Sequence, residues 1–440
     1  MKKWMVLALL AVVCVSVYWP HRNAQFILDD YYTVVRNPLI KNFFLYPNIW
    51  TSRLFDAHQA SGYIKFGYYR PVLESSWVVD YHLFGLKTFG YQWINLLIHI
   101  LNCFLIYILW GRLFGESNLA LKASLLFAVL PSQEWVVRYV TGRADELSVS
   151  FALLALLFLY DVFRTGKKIG YVAVFIFWAL AALTREVALS YLLLAFFIYR
   201  PGTINRFCLF WILIGLLPLV LIFSIIPKQG NILIWHVFYF ASIGLCLWMA
   251  QLRWRVIVVL VLLFGAVSFY QGRFWTTEET LLRHTRSLEW WPRTVTSQQL
   301  LMKYDDDIPA INDLVLHADD PRIKAMWLRR LGLIYFIHHD LNTAQEYFSK
   351  ALSVNASDVD ALNSLAVVAH QENQEAESLN YLNRSFAINP YYPDTLRTLG
   401  IYYYIHQDFP QARLYLSHCL FFEPDNVQAR QLLNLANKTN

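Results

Sequence analysis

The chain has 440 residues, of which 57% are hydrophobic, 17% aromatic and only 15% charged, with a mean hydropathy of +0.37. Soluble domains carry about a quarter charged residues, so this composition excludes a purely water-soluble protein and puts much of the chain in lipid. Charge is uneven: residues 271–440 hold 15 Lys+Arg against 20 Asp+Glu, a net of −5, which leaves +11 of the overall +6 for residues 1–270. No basic run with interleaved aromatics suggests a nucleic-acid surface.

The first element is apolar. "MKKWMVLALLAVVCVSVYWP" starts basic and continues greasy, and it reads as an uncleaved first span over Trp4–Trp19 with Tyr18 and Trp19 at the interface. A long loop, residues 20–90, follows. It carries Asp29 and Asp30 in "FILDDYYTVVRNP", then Val72–Leu83, an apolar stretch with Glu74, Asp80 and His82 interspersed. That stretch is expected to form an amphipathic helix lying on the membrane.

Eight further apolar segments are expected as spans: 91–110, 119–131, 146–163, 169–183, 187–199, 205–226, 231–251 and 255–270, giving about nine in all. Several fall short of the roughly 20 residues that cross a bilayer core. With the N-terminus inside, every inside turn holds at least two basic residues, among them Arg112 and Lys122, and Arg253 and Arg255. The positive-inside rule then places the 20–90 loop, the turns with Arg138 and Arg143 and with Arg185, and the C-terminal region on the outer side.

The C-terminal region repeats. Leu331-Gly332, Leu365-Ala366 and Leu399-Gly400 recur every 34 residues. The same spacing links Ala344, Ser378 and Ala412; Phe348, Leu382 and Leu416; Ala351, Ser385 and Cys419; and Ala356, Pro390 and Pro424. This is the tetratricopeptide pattern: small residues let paired helices pack closely and prolines close the second helix. The domain expectation is a membrane domain over 1–270, a linker over 271–320 with a degenerate helix pair at about 293–317, and three repeats plus a capping helix over 321–440. Such repeats stack into an α-solenoid that binds peptide or protein.

The five cysteines show no metal spacing and no disulfide framework, and they read as core fillers. His99 and Asn102, one turn apart, read as an inter-helix hydrogen-bonding face. Asp305–Asp307 offers only a weak patch for a divalent ion. The sequence requires no metal and no cofactor.

Four stretches carry a family resemblance: "LDDYYTVVRNPLI", "YRPVLESSWVVDYHLFGL…GYQWINLLIHILN", "LPSQEWVVRYVTGRADELSVSFALLALLFLY" and "ALTREVALSYLLLAFF", in this order and followed by the repeats. Together they resemble the transmembrane and tetratricopeptide-repeat O-mannosyltransferases and their bacterial relatives, within the GT-C glycosyltransferases. The resemblance implies an all-α polytopic bundle, a polyprenyl-phosphate sugar donor, inverting transfer outside the cytoplasm, and an essential carboxylate pair in the first outer loop, which matches Asp29 and Asp30.

Such chemistry needs a base for the acceptor hydroxyl and positive charge for the departing phosphate. Asp29 or Asp30 suits the base, since adjacent carboxylates raise one another's pKa; the alternative is that the pair caps the following helix. Arg143, Arg138, Arg185 and Arg70 are the candidate donor-phosphate ligands, against the alternative that they anchor at headgroups. Glu134, Glu186 and Asp145 are candidate supports, with Asp145 expected to pair with Arg143 or to cap the fourth span. The expected protein is an integral membrane glycosyltransferase of a bacterial inner membrane, with acid loop and repeats in the periplasm and a protein or peptide acceptor on the solenoid. The rival reading is a membrane-anchored scaffold with a degenerate membrane domain.

Overall fold

A computed structural model describes residues 2–19, 24–52, 68–199, 202–225, 238–287, 308–318 and 320–438, and these form helices, turns and loops. They group into two units, residues 1–35 with 69–298, and residues 36–68 with 299–440. In chain order the helices begin with α1 (Lys3–Tyr18), α2 (Pro38–Lys41), α3 (Pro71–Phe84), α4 (Thr88–Phe114), α5 (Ser117–Val129), α6 (Glu134–Val137) and α7 (Arg143–Thr165). They continue with α8 (Gly170–Thr184), α9 (Ala195–Tyr199), α10 (Ile204–Ile225), α11 (Phe238–Met249), α12 (Trp254–Gly272) and α13 (Glu278–Ser287).

The first unit is a helical bundle built from the apolar segments. Each of the nine coincides with a helix, and Thr88–Phe114, Arg143–Thr165 and Trp254–Thr276 are long and apolar enough to cross a membrane. Residues 226 and 231–237 of two segments lie outside the described residues. The short segment Glu186–Tyr199 gains reach from its geometry. It is a 3₁₀ helix over Glu186–Leu194 before α9, and at about 2 Å rise per 3₁₀ residue it extends about 25 Å.

Within this bundle α1 packs on α4, α5 and α12, α7 lies against α4 and α8, and α10 pairs with α11. Val6, Leu10 and Cys14 of α1 are fully buried, and Trp110 meets Trp211 edge to face at 4.9 Å. Glycines in the left-handed region end α4 at Gly115 and α7 at Gly166. Large apolar side chains such as Phe175, Val259 and Leu262 face outward. In water that surface is an aggregation liability, and in lipid it is the solvent-facing side of an integral membrane protein.

The stretch expected to lie flat on a membrane is α3, and its polarity is the reverse of a simple interfacial helix. Glu74 and Asp80 are buried beside Leu73 and Trp77, while Val79 and Leu83 are exposed. The acids turn inward because α3 packs against α4, α7 and α8, where a buried cation awaits Asp80.

In the second unit the 34-residue columns become helix pairs: Pro321–Ile337 with Leu341–Val354, Val359–Gln371 with Glu375–Ile388, and Pro393–Ile405 with Phe409–Phe422, closed by Val427–Ala436. Asp340, Asp358, Asp408 and Asn426 cap helices by accepting from backbone N–H groups. Of the expected preceding pair, Ile308–His317 is a helix, and the earlier part lies outside the described residues. Pro321 begins the next helix. The loop expected to belong wholly to the membrane domain is divided, because its residues 36–52 group with the repeats.

The small residues of the repeat are needed for close packing. A Cβ on Gly332 would lie 2.6 Å from the Phe348 ring, and one on Gly400 2.6 Å from Leu416 Cγ. Gly332→Ala is expected to destabilise the array by about 1–3 kcal/mol through overpacking. Limited proteolysis of the purified full chain checks this, with cleavage within 321–438 expected at a lower temperature than in wild type.

Candidate active site

Alternate residues leading into α7, Thr141, Arg143 and Asp145, reach three separate parts of the first unit. Thr141 holds the acid loop. Its backbone N–H and its hydroxyl both donate to Asp30 Oδ1, at 2.8 and 2.7 Å. Asp30 Oδ2 accepts from Ile27 N–H at 3.3 Å, so both carboxylate oxygens are engaged, and the residue is 1% exposed. The backbone N–H of Asp29 donates to Tyr139 Oη at 3.1 Å, and Thr33 Oγ1 donates to the Asp29 carbonyl at 2.9 Å. Thr33 also meets Thr141 Oγ1 at 3.1 Å.

The acid pair is therefore fixed by backbone and hydroxyl contacts rather than by a capped helix alone. Leu28, just before it, sits at φ 51, a conformation costly for a large side chain. A π-helical turn, Tyr31–Val35, follows. The two carboxylates are inequivalent. Asp30 is buried and anchored, whereas Asp29 is only partly buried.

Gly142 explains why the anchor has this sequence. A Cβ there would lie 2.7 Å from the Trp135 carbonyl oxygen and 2.8 Å from that of Val136, so only glycine lets the chain pass between Thr141 and Arg143. Asn95 of α4 steadies the same turn, donating to the Tyr139 carbonyl at 2.9 Å, and Gln92 donates to the Arg138 carbonyl at 2.9 Å.

Arg143 is fully buried. It forms an ion pair with Asp80 of α3 at 2.5 Å, and donates to Asn95 Oδ1 at 2.7 Å, to the Tyr91 carbonyl at 2.9 Å and to Ser76 Oγ at 3.3 Å. Asp145, expected to pair with Arg143 or to cap the fourth span, pairs with Arg185. Successive side chains on α7 differ by about 100°, so the two residues serve different neighbours. Arg138 pairs with Glu134 one turn away and donates to the Tyr18 and Val17 carbonyls at 2.9 and 3.2 Å. It thereby satisfies the free C-terminal carbonyls of α1. Arg143 and Arg138 are thus engaged inside the protein in this state.

Arg70 and Arg185 are placed differently. Arg70 forks onto Glu186, Nε to Oε2 at 3.1 Å and Nη2 to Oε1 at 2.7 Å. The Glu186 side chain is 48% exposed against 9% for each arginine. With Asp145 and Arg185, this makes a group of two arginines and two acids whose solvent-facing member is a carboxylate. A phosphate matches the fork that Glu186 now fills. Beside Arg138, a small open cleft is lined mostly by apolar and aromatic side chains, including Trp19, Phe89, Trp93 and Leu96.

His99 meets Tyr239 Oη at 2.9 Å and Asn102 donates to the same oxygen at 3.1 Å, an inter-helix connection as the sequence suggests. All five cysteines are buried thiols. Cys14, His99 and Cys103 bring their ligand atoms within 4.8 Å of one another, an assembly of α1 with α4 that no sequence spacing reveals. Asp305–Asp307 lies outside the described residues. Sequence reasoning passed over Thr141, although it stands in the quoted "TGRAD", and gave Asp80 no partner. Tyr139, Gln92 and Asn95 carry no sequence signal, because their work is to satisfy loop carbonyls and N–H groups.

Burial pushes the Asp30 carboxyl up to about 7, with Asp29 adding repulsion, while the hydrogen bonds from Thr141 and Ile27 oppose the rise. Between about pH 4, where an unfolded Asp ionises, and about 7, the native state keeps a proton that the unfolded state has lost. Stability therefore falls as pH rises through this window and is level above it. Asp30→Asn removes that slope. The melting temperature of the variant minus that of wild type, followed from pH 4 to 8, is expected to climb to about pH 7 and then flatten.

Residues 76–227 match the family described as dolichyl-phosphate-mannose-protein mannosyltransferase. The matched stretch contains Arg138, Arg143, Asp145, Arg185 and Glu186 and begins after Asp29, Asp30 and Arg70. Among curated proteins, "Protein O-mannosyl-transferase F38B6.6" of Caenorhabditis elegans is 32% identical over 154 residues, 34% of this chain and 22% of that protein. "Protein O-mannosyl-transferase Tmtc1" of Drosophila melanogaster is 31% identical over 180 residues, 39% of this chain and 20% of that protein. "Protein O-mannosyl-transferase TMTC1" of Homo sapiens is 30% identical over 152 residues, 34% of this chain and 17% of that protein. The alignments thus span about a fifth of the relatives' own length. A solved structure, "First TPR of Spaghetti (RPAP3) bound to HSP90 peptide SRMEEVD", aligns with 28% of this chain and 95% of its own at 20% identity and a TM-score of 0.26. Through its membrane half, the chain is similar to the protein O-mannosyltransferase family, as its motifs and their order suggest.

Proposed function

We propose that this protein is a membrane glycosyltransferase that moves a sugar from a polyprenyl-phosphate carrier to a Ser/Thr hydroxyl of a protein, or to a glycan hydroxyl, on the non-cytoplasmic side. The observation that carries the reading is the inequivalent acid pair: Asp30 anchored through both oxygens, Asp29 held beside it and partly open. The similarity of residues 76–227 to protein mannosyltransferases supports the reaction class.

In this reaction the acceptor oxygen attacks the anomeric carbon while Asp29 takes its proton. The bond from that carbon to the phosphate oxygen breaks, and the phosphate leaves with the electron pair. Asp30 fixes the backbone that presents Asp29. Arg70 and Arg185 receive the carrier phosphate as the Glu186 carboxylate gives way, and their charge stabilises the phosphate as negative charge grows on it. Arg143 and Arg138 act as positioning residues, through Asp80 and through α1. The aromatic side chains of the small cleft beside Arg138 offer apolar surface against which an isoprenoid tail can lie. The charge pattern of the turns supports an outer-side, periplasm-like location for the acid loop, and the repeats recruit the acceptor.

Asp29→Asn is expected to lower transfer by at least about 100-fold while membrane insertion and folding are retained. Transfer from a polyprenyl-phosphate sugar to a Ser/Thr peptide, measured on the purified full chain, checks this. A variant that transfers at the wild-type rate sinks the assignment. Loss of partner capture in a deletion strain with no change in its glycoproteins favours the scaffold reading instead.

A further inference from the structure

The segment directly after the acid pair has a binding site of its own. Residues 36–52 group with the repeats, and their polar contacts run along the turns that join one repeat to the next. Arg36 forms an ion pair with Asp394 at 2.8 Å and donates to Tyr392 Oη at 3.2 Å. Tyr392 in turn donates to Asp360 Oδ1 at 2.6 Å. Asp360 and Asp394 are the same repeat position, 34 residues apart, each in the first turn of its helix. Five residues on from Arg36, the chain reaches the next turn. Lys41 pairs with Asp425 at 2.7 Å, and Asn42 donates to the Phe421 carbonyl at 3.0 Å. Lys41 is 2% exposed at its side chain and Ile40 is fully buried, so the contact is a packed interface rather than a loose surface pairing. Asn37 and Asn42 cap the local turns by accepting from Leu39 and Phe44 N–H groups, which fixes the spacing of the two cations.

We propose that the inter-repeat turns around Asp394 and Asp425 form an anchor site for the basic segment Arg36–Asn42, and that the repeats hold the exit of the acid loop in addition to any acceptor. Only five residues of chain, Tyr31 to Val35, separate Asp30 from Arg36. Release of the segment frees the chain that leaves the acid pair. The partner is thus part of the same polypeptide, recognised by two cations five residues apart on acids of successive inter-repeat turns. The catalytic consequence rests on the transferase reading above, whereas the contact itself does not.

The experiment uses the full chain in three forms: Lys41→Glu, Asp425→Lys, and the two together. Each single variant leaves like charges facing across a buried contact. Transfer is expected to fall about tenfold or more in kcat, as displacement of a reacting group by about 1 Å can cost more than that, with acceptor KM little changed. The double variant is expected to recover most of the loss, an outcome that a merely misfolded single variant does not give. In parallel, Lys41→Cys with Asp425→Cys is treated with a short bis-maleimide, and the joined peptides are read by mass spectrometry. Cross-linking with no kcat loss in the single variants overturns the catalytic role, and absence of the cross-link overturns the anchor. If the wild-type chain transfers no sugar, the transferase reading fails, and the cross-link alone decides the anchor.

Discussion

The bond between Thr141 and Asp30 is the contact on which the rest of the site depends. A carboxylate buried in the first unit needs donors, and a single threonine provides two of them, one from its backbone and one from its hydroxyl. That requirement sets the neighbouring sequence. The next residue must be glycine, because two carbonyls close over it. The residue after that, Arg143, reaches the opposite way to Asp80, and Asp145 reaches Arg185. Three elements far apart in sequence converge on five consecutive residues, so acid loop, α3 and the turn after α8 are placed together or not at all.

Electrostatics in a medium of low polarity sorts the arginines. An unpaired guanidinium at membrane depth is expensive, and each of the four lies beside its own acid: Arg143 with Asp80, Arg138 with Glu134, Arg185 with Asp145 and Arg70 with Glu186. Such pairs add little net stability, but breaking one leaves a buried charge, which makes them good devices for fixing geometry. What distinguishes the pairs is access. Glu186 is the only acid of the four with a half-exposed side chain, and its pair is the natural place for an outside anion to enter.

Much of the fold was legible in the sequence. The nine apolar segments gave the helices of the bundle, and the 34-residue columns gave the helix pairs, because hydrophobic pattern and small-residue packing are local signals. The candidate residues were legible as chemical types: Asp29, Asp30 and the arginines are unusual in a chain this apolar. Their partners were not. Asp145, two residues away, was one candidate partner for Arg143, which pairs with Asp80 63 positions earlier, because pairing follows helix rotation and packing. The inward turn of the α3 acids and the grouping of residues 36–52 with the repeats are tertiary outcomes of the same kind.

In the proposed reaction the acid pair and the Arg70–Arg185 pair address one substrate. The most direct measurement is an experimental structure of the full chain in lipid with a non-transferable polyprenyl-phosphate sugar bound. The expected result is the phosphate on Arg70 and Arg185, the Glu186 carboxylate displaced from the fork, and the anomeric carbon facing Asp29. A phosphate that contacts neither arginine, or a sugar whose anomeric carbon lies out of reach of Asp29, contradicts it.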